Sequence, residues 1–213
     1  TIPLDPQRSP SENAQQYFKK YNKAKKSREH VVEQMRKTKE ENQYFESLLQ
    51  QIESADLEDI ADIREELTQE GYLRKRQAKR RHKADNKKPQ LTVFESSEGI
   101  PIYVGRNNRQ NEFLTNRLAN RGDTWLHTKD IPGSHVVIRS RTFGETTLHE
   151  AAQIAAYFSK ARGSSRVPVD YTLVKNIRKP KGARPGFVIY DEQRTVYVTA
   201  DESLIEKLPK TRK

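Results

Sequence analysis

The chain has 213 residues, of which 33% are hydrophobic and 32% charged, and its mean hydropathy is −1.01. This composition is too polar for a single core that includes the whole chain, so we expect one compact domain joined to an elongated segment. Cysteine is absent, which excludes disulfide frameworks and cysteine-ligated metal sites. The net charge of +11 favours polyanionic partners such as nucleic acid, an anionic membrane surface or acidic glycans, although a basic surface that serves only solubility is an alternative.

No apolar run approaches the roughly 18 residues of a membrane span, and the N-terminus has none of the segments of a signal peptide. We therefore expect no membrane insertion. The chain begins with Thr1, which indicates a piece of a longer protein whose targeting signals could lie upstream.

The first 53 residues predict one long helix. Ser9 can serve as its N-cap with Pro10 at the first helical position, and neither Gly nor Pro occurs again before Glu53. Seam positions recur at alternating spacings of three and four, which is the heptad pattern of a coiled coil. These positions are Ala14, Tyr17, Tyr21, Ala24, Arg28, Val31, Met35, Thr38, Asn42, Phe45, Leu49 and Ile52.

A turn near Ser54 to Asp56 leads into a shorter second helix that ends near Gly71. Together the two helices predict an antiparallel hairpin, with acidic residues along the second helix. Because the second helix is shorter, part of the seam needs another partner, either an upstream segment or a second chain in a coiled-coil self-association. The basic residues predicted to contact a partner from the hairpin are Lys19, Lys20, Lys23, Lys25, Lys26 and Arg28.

The composition divides the whole chain into three segments. We assign residues 1–82 to the hairpin, 83–90 to a basic linker and 91–213 to an α+β domain with helices packed on a mostly antiparallel sheet. The dense basic run from Arg74 to Lys88 is either a solvated connector or a strip that follows phosphates. Thr147 and Glu150 have the spacing of a capping box and predict the start of a helix there.

The segment from Asp123 to His135 contains the only Trp of the chain. In a strand, Asp123, Trp125, His127 and Lys129 lie on one face. A half-buried Trp125 could stack on a nucleobase, whereas the alternative is a core Trp whose neighbours satisfy its N–H group. The stacking hypothesis predicts that Trp125 is partly accessible beside the basic loop of residues 175–184.

The same segment offers acid, base and nucleophile types in Asp123, His127, Ser134 and His135. No nucleophile elbow, phosphate loop or tight metal-ligand spacing accompanies them. We therefore expect neither catalysis nor a cofactor or metal ion.

Basic side chains on turns suit phosphate contacts, and an ordinary charged loop is the alternative. The residues predicted to bind nucleic acid are Asp123, Trp125, His127, Lys129, His135, Arg139, Lys160, Arg162, Lys175, Arg178, Lys179, Lys181 and Arg184.

Four segments together resemble the NFACT-R domain of the NFACT family: residues 123–136, 147–152, 169–175 and 185–190. Asp123, Trp125 and His127 match the characteristic motif of that family. The resemblance covers the chain from about Leu91 onward, and the preceding hairpin is similar to the coiled coil of the bacterial members.

The resemblance implies a cytoplasmic factor of ribosome-associated quality control. Such a factor binds an obstructed large ribosomal subunit that holds peptidyl-tRNA and recruits alanyl-tRNA for template-free C-terminal tailing, while its coiled coil reaches along the subunit. Bacterial members have also been labelled fibronectin-binding proteins, which implies an alternative function as an anchorless surface adhesin that binds host fibronectin.

Overall fold

The computed structural model describes residues 2–74 and 88–212. By its internal contacts the chain divides into two units, residues 1–45 and 46–213. The predicted boundaries at residues 82 and 90 stay a prediction, because most of the basic linker lies outside the described residues.

The first unit consists mainly of helix α1, Pro10–Glu53, which continues into the second unit. As predicted, Ser9 caps the helix: its side chain accepts a hydrogen bond from the Glu12 backbone N–H (3.3 Å), and the Glu12 carboxylate accepts one from the Ser9 N–H (2.8 Å). Seam residues Tyr21 and Met35 are 61% and 68% exposed. All six basic residues assigned to the hairpin are exposed along α1.

The second unit begins with the end of α1 and a short helix, α2, Leu57–Gln69. Asp56 caps α2 in a capping box with Asp59. The side of α2 that carries Asp59 and Asp62 contacts helix α3, Asn108–Phe113. The acidic residues that the sequence analysis assigned to the hairpin are therefore engaged with the sheet domain.

Seven antiparallel strands form the main sheet in the order β8-β5-β3-β4-β2-β1-β9. A separate two-stranded ribbon consists of β6 and β7. The strands are β1 Thr92–Glu95, β2 Pro101–Val104, β3 Thr124–Thr128, β4 Val136–Ile138, β5 Val167–Leu173, β6 Ile177–Arg178, β7 Ile189–Tyr190, β8 Arg194–Val198 and β9 Lys210–Arg212.

Both faces of the sheet are covered. One face packs against helix α4, Glu145–Tyr157, and helix α5, Glu202–Lys207, in the larger hydrophobic cluster. The opposite face carries Trp125, which packs beneath the π-helical turn Leu114–Leu118 and the β6–β7 ribbon. The predicted α+β class, a long helix followed by a mostly antiparallel sheet with packed helices, is confirmed.

The predicted capping box at Thr147 is wrong, because α4 begins two residues earlier. The carboxylate of Glu98, from the β1–β2 turn, accepts hydrogen bonds from the backbone N–H groups of Gly144 (3.0 Å) and Thr147 (3.2 Å). Glu150 instead accepts a hydrogen bond from the Ser97 N–H (2.9 Å). The cap thus comes from a distant turn, which local spacing cannot reveal.

The C-terminal segment adds two elements after β8. Helix α5 is followed by strand β9, which extends the sheet by pairing with β1, so that Thr92 lies opposite Arg212. Among the described residues, no helix is long and apolar enough to cross a membrane.

Candidate nucleic-acid interface

Trp125 is fully enclosed, with 0% of its surface exposed. Its indole lies in a stacked arrangement with the ring of His127 (centroids 5.6 Å apart) and meets the Tyr190 ring at 4.9 Å. The prediction that Trp125 is partly accessible is therefore wrong, because the β6–β7 ribbon covers it. The indole N–H has no hydrogen-bond partner among the described residues, so Trp125 contributes packing rather than a polar contact.

A row of polar side chains joins this sheet face to the ribbon. His127 on β3 lies opposite Asp170 on β5, and Asp170 lies opposite Thr195 on β8. The Tyr190 hydroxyl donates to one carboxylate oxygen of Asp170 (3.1 Å) and the Thr195 hydroxyl donates to the other (2.5 Å). Burial and the neighbouring Asp170 carboxylate raise the pKa of Tyr190. The hydroxyl stays protonated at neutral pH and can serve as a donor that fastens the ribbon.

His135 is a second buried group under the same cover. Its Nδ1 lies 2.8 Å from the Thr115 hydroxyl, and its backbone N–H donates to the Asn111 side chain (2.9 Å). Burial lowers the pKa of His135 well below its ordinary value, and the adjacent His127 lowers it further. Burial also lowers the pKa of His127. Two neutral imidazoles therefore sit around the indole, in surroundings suited to packing and poorly suited to binding phosphate.

Asp123 organises the turn ahead of β3. One of its carboxylate oxygens accepts a hydrogen bond from the Asn120 N–H (2.8 Å) and lies 3.7 Å from Nε of Arg139. The carbonyl of Asp123 accepts from the Val174 N–H (3.0 Å). Asp123 is 4% exposed, so it holds the surrounding backbone and Arg139 in place.

Four basic residues converge at this end of the sheet, and we call them the terminal basic patch: Arg121, Arg139, Arg141 and Lys175. The Lys175 N–H donates to the Arg121 carbonyl (3.1 Å), which places the two residues side by side. Arg141 passes close to Gly122, where an added Cβ would lie 3.5 Å from its Nε. Arg121, Arg141 and Lys175 are exposed, and none has an ion pair within the described part of the chain.

Two members of the patch, Arg139 and Lys175, are among the residues predicted from the sequence, whereas Arg121 and Arg141 are not. Arg121 precedes Gly122 and Asp123, in a turn where polar residues are common. Arg121 belongs to the patch because its carbonyl accepts a hydrogen bond from the N–H group of Lys175, which follows strand β5. The signal that could have found it is a basic residue at the turn immediately before β3, together with a basic residue just after the adjacent strand β5.

Most other predicted phosphate ligands are already paired with carboxylates. Lys129 and Lys181 are exposed, and no ion pair involving them occurs among residues 2–74 and 88–212. The paired residues are Lys160 with Glu46 (3.5 Å), Arg162 with Glu202 (2.8 Å), Arg178 with Asp191 (3.3 Å), Lys179 with Glu112 (2.8 Å) and Arg184 with Glu70 (3.8 Å).

A second basic group is neutralised by α2, in an interface that we call the acidic clamp. Asp59 is 0% exposed and accepts a hydrogen bond from the Gln110 side chain (2.7 Å), with Arg106 at 3.4 Å. Arg109 contacts Asp62 at 3.0 Å. Burial raises the pKa of Asp62, while the charge of Arg109 opposes that shift. Arg106, which precedes α3, and Arg109 of α3 are therefore occupied by the protein's own carboxylates.

No group of three or more His, Asp or Glu side chains suited to a metal ion occurs among residues 2–74 and 88–212.

Comparison with known protein families gives two matches. The model for the NFACT N-terminal and middle domains matches residues 1–86, and the model for the NFACT protein RNA binding domain matches residues 90–191. The chain belongs to the NFACT family. The terminal basic patch and the ribbon both fall within the RNA-binding match.

Individual NFACT relatives match nearly the whole chain. The Rqc2 homolog RqcH of Bacillus subtilis is 57% identical over 99% of this chain and 37% of its own length. The homolog from Streptococcus pneumoniae D39 is 44% identical over 99% of this chain and 38% of its own length. The chain therefore spans well under half the length of these relatives.

A solved structure supports the fold. The C-terminal part of the fibronectin/fibrinogen-binding protein from Streptococcus suis is 42% identical to this chain, with a TM-score of 0.84. The similarity covers 93% of this chain and 80% of that chain.

Proposed function

We propose that this NFACT region binds RNA on an obstructed large ribosomal subunit that carries peptidyl-tRNA, and that it supports C-terminal alanine tailing as a non-catalytic component. Its partners are then the subunit and tRNA, and its location is the cytoplasm. The observation that carries the proposal is the terminal basic patch, a group of exposed cations on a domain that matches an RNA-binding family.

The chemistry of the patch suits a phosphate backbone. Arginine side chains form paired hydrogen bonds to phosphate oxygens, and lysine adds a mobile point charge. Among residues 2–74 and 88–212, no carboxylate is paired with Arg121, Arg141 or Lys175, so a phosphate has none to displace there. Arg139 is held between Asp123 and the Tyr103 ring, 5.4 Å from the ring centroid, and this positioning lowers the entropy lost when it contacts a ligand.

Helix α1 supplies a second cationic surface in the first unit. Its exposed basic run, Lys19 to Arg28, presents five lysines and an arginine without a compensating acidic residue in the same stretch. We assign this run to contact with ribosomal RNA or with another ribosomal component. The exposed seam residues Tyr21 and Met35 are then the part of α1 that meets an upstream segment or a second copy of the chain.

The test is co-sedimentation of the chain with large subunits that carry peptidyl-tRNA and with vacant large subunits, across a salt series. We expect preferential binding to the occupied subunit, and a loss of binding in the double variant R121A/K175A. The matched control R166A/K207A removes the same charge from two exposed residues outside the patch. Equal binding to both subunits would overturn the specificity that we propose, and binding unaffected by R121A/K175A would overturn the role of the patch.

Fibronectin binding is a second candidate, favoured by the name of the Streptococcus suis relative alone. It would use the chain as a surface adhesin. Immobilised fibronectin and a competing tRNA separate the two candidates: saturable binding to fibronectin that tRNA does not displace would favour the adhesin.

A further inference from the structure

The outer face of the β6–β7 ribbon exposes an aromatic and an aliphatic side chain together. Phe187 is 55% exposed and Ile189 is 38% exposed. Neighbouring side chains on a strand alternate between faces, and Val188 and Tyr190 pack inward against the cluster that contains Trp125. Phe187 and Ile189 therefore lie on the side of the ribbon that faces away from the core.

Cations flank this apolar pair. Arg178 lies directly opposite Ile189 in the ribbon register, and its side chain is 66% exposed. Lys181 is exposed in the turn that joins the two strands. Between Thr172 and Tyr190 the chain has five basic residues and no acidic one. The acidic residues that follow the ribbon are Asp191, which pairs with Arg178 at 3.3 Å, and Glu192.

The ribbon is also held in a fixed position. On its inner side, the Tyr190 hydroxyl bonds to Asp170 (3.1 Å) and the Thr172 hydroxyl donates to the Asp191 carbonyl (2.9 Å). The Phe187 N–H donates to the Arg184 carbonyl (3.2 Å), and Gly186 supplies the positive φ of 76° that the turn requires. An exposed ring on an ordered ribbon loses little freedom when a ligand covers it.

An aromatic face between cations suits one class of ligand above others. A stacked base in a duplex hides both of its faces, whereas an unpaired base can lie on an aromatic ring while its phosphates contact adjacent cations. The Arg178–Asp191 pair is exposed and contributes little stability, so a phosphate can replace the carboxylate at small cost.

We propose that the outer face of the ribbon binds unpaired nucleotides of RNA, with a base stacked on Phe187 and phosphates contacted by Arg178 and Lys181. This inference rests on the proposed RNA-binding function and deepens it by naming the ligand as single-stranded RNA. Trp125 then acts one layer below, as packing that supports the ribbon.

The test measures binding of the chain to a single-stranded RNA oligomer that contains 2-aminopurine and to a duplex of the same length. F187A is expected to lower affinity for the single strand by roughly 5- to 100-fold and to leave affinity for the duplex unchanged. F187W should restore affinity and also restore the quenching of 2-aminopurine fluorescence that stacking on an aromatic ring produces. Y197A is the matched control, because Tyr197 is a 59% exposed aromatic residue on β8.

Two results separate this inference from the broader proposal. If F187A binds the single strand as the parent does, while R121A/K175A loses affinity, the ribbon site is overturned and RNA binding by the patch stands. If neither variant changes RNA binding, both proposals are overturned.

Discussion

The acidic clamp and the terminal basic patch both contain arginine side chains, but in different surroundings. In the clamp, Arg106 and Arg109 of the second unit meet the carboxylates of Asp59 and Asp62 at 3.4 Å and 3.0 Å. In the patch, Arg121 and Arg141 are exposed, and neither has an ion pair among residues 2–74 and 88–212. The difference teaches that the number of arginines does not locate an RNA site. What matters is whether a buried carboxylate already supplies the counter-charge, as Asp59 does for Arg106.

Burial decides what each region contributes. Asp59 is enclosed, so its charge is stabilised only by its partners, and loss of one partner weakens a buried network that also includes Asp56 and Arg212. The exposed charges of the patch stay hydrated, so removing one of them changes the free energy of unfolding little. We therefore expect substitutions in the clamp to change the free energy of unfolding, and substitutions in the patch to change RNA binding.

The largest expected effect comes from D59A, which removes the buried acceptor of Gln110 and one of the two carboxylates paired with Arg106. We expect the free energy of unfolding to fall by about 3–5 kcal/mol, measured by urea denaturation. The control E58A removes a carboxylate that is 69% exposed and should cost less than about 1 kcal/mol. Equal effects of the two variants would contradict the distinction between buried and exposed carboxylates.

A substitution of Trp125 tests how the packing beneath the β6–β7 ribbon contributes to stability. W125L leaves space in the core and removes the ring contacts with His127 and Tyr190, so we expect a loss of about 2–4 kcal/mol of stability. At a temperature where the variant is folded, its affinity for RNA should stay near that of the parent. A large loss of affinity in a variant with intact circular dichroism would instead show that RNA binding depends on the packing of Trp125 beneath the ribbon.

The buried imidazoles give a smaller effect that depends on pH. Because burial lowers the pKa of His135 in the folded chain, the unfolded chain binds more protons between that lowered pKa and the ordinary value of about 6.5. Stability is then fully present above about pH 6.5 and is lost as the pH falls below it. H135Q should reduce this loss between pH 7.5 and 5.5 in urea unfolding curves.

The exposed His149 on α4 provides the matched control, because H149Q removes an imidazole that lies outside the buried group around Trp125. His127, whose pKa is also lowered by burial, acts in the same direction and should keep part of the dependence in H135Q. A pH dependence that H135Q leaves unaltered would contradict the assignment to this buried group.

Much of the fold could be predicted because the decisive signals are local. The N-cap at Ser9, the heptad spacing of α1 and the alternation of β3 are each read from neighbouring residues. The start of α4 could not be predicted in the same way, because the carboxylate of Glu98 caps it from a distant turn. Strand β9 depends on pairing with β1, which begins 118 positions earlier in the chain.

The candidate site was predicted in part for the same reason. The basic residues of the loop were visible in the sequence, but their partners Glu70 and Glu112 belong to other elements. Trp125 has the pattern of a half-exposed strand residue, and only the position of the ribbon reveals that it is covered. Arg121 and Lys175 are far apart in the chain, and a backbone hydrogen bond in the folded protein brings them side by side.

The central claim is that RNA binding depends on the uncompensated cations of the terminal basic patch. The most direct measurement is the salt dependence of affinity for a structured RNA in the parent chain, in R121A/K175A and in the charge-matched R166A/K207A. We expect R121A/K175A to lower the affinity and to reduce the slope of log K against log salt concentration by about 1.4–1.8, with little change in the control. Equal slopes and affinities for the two double variants would contradict the claim, because binding would then follow net charge alone.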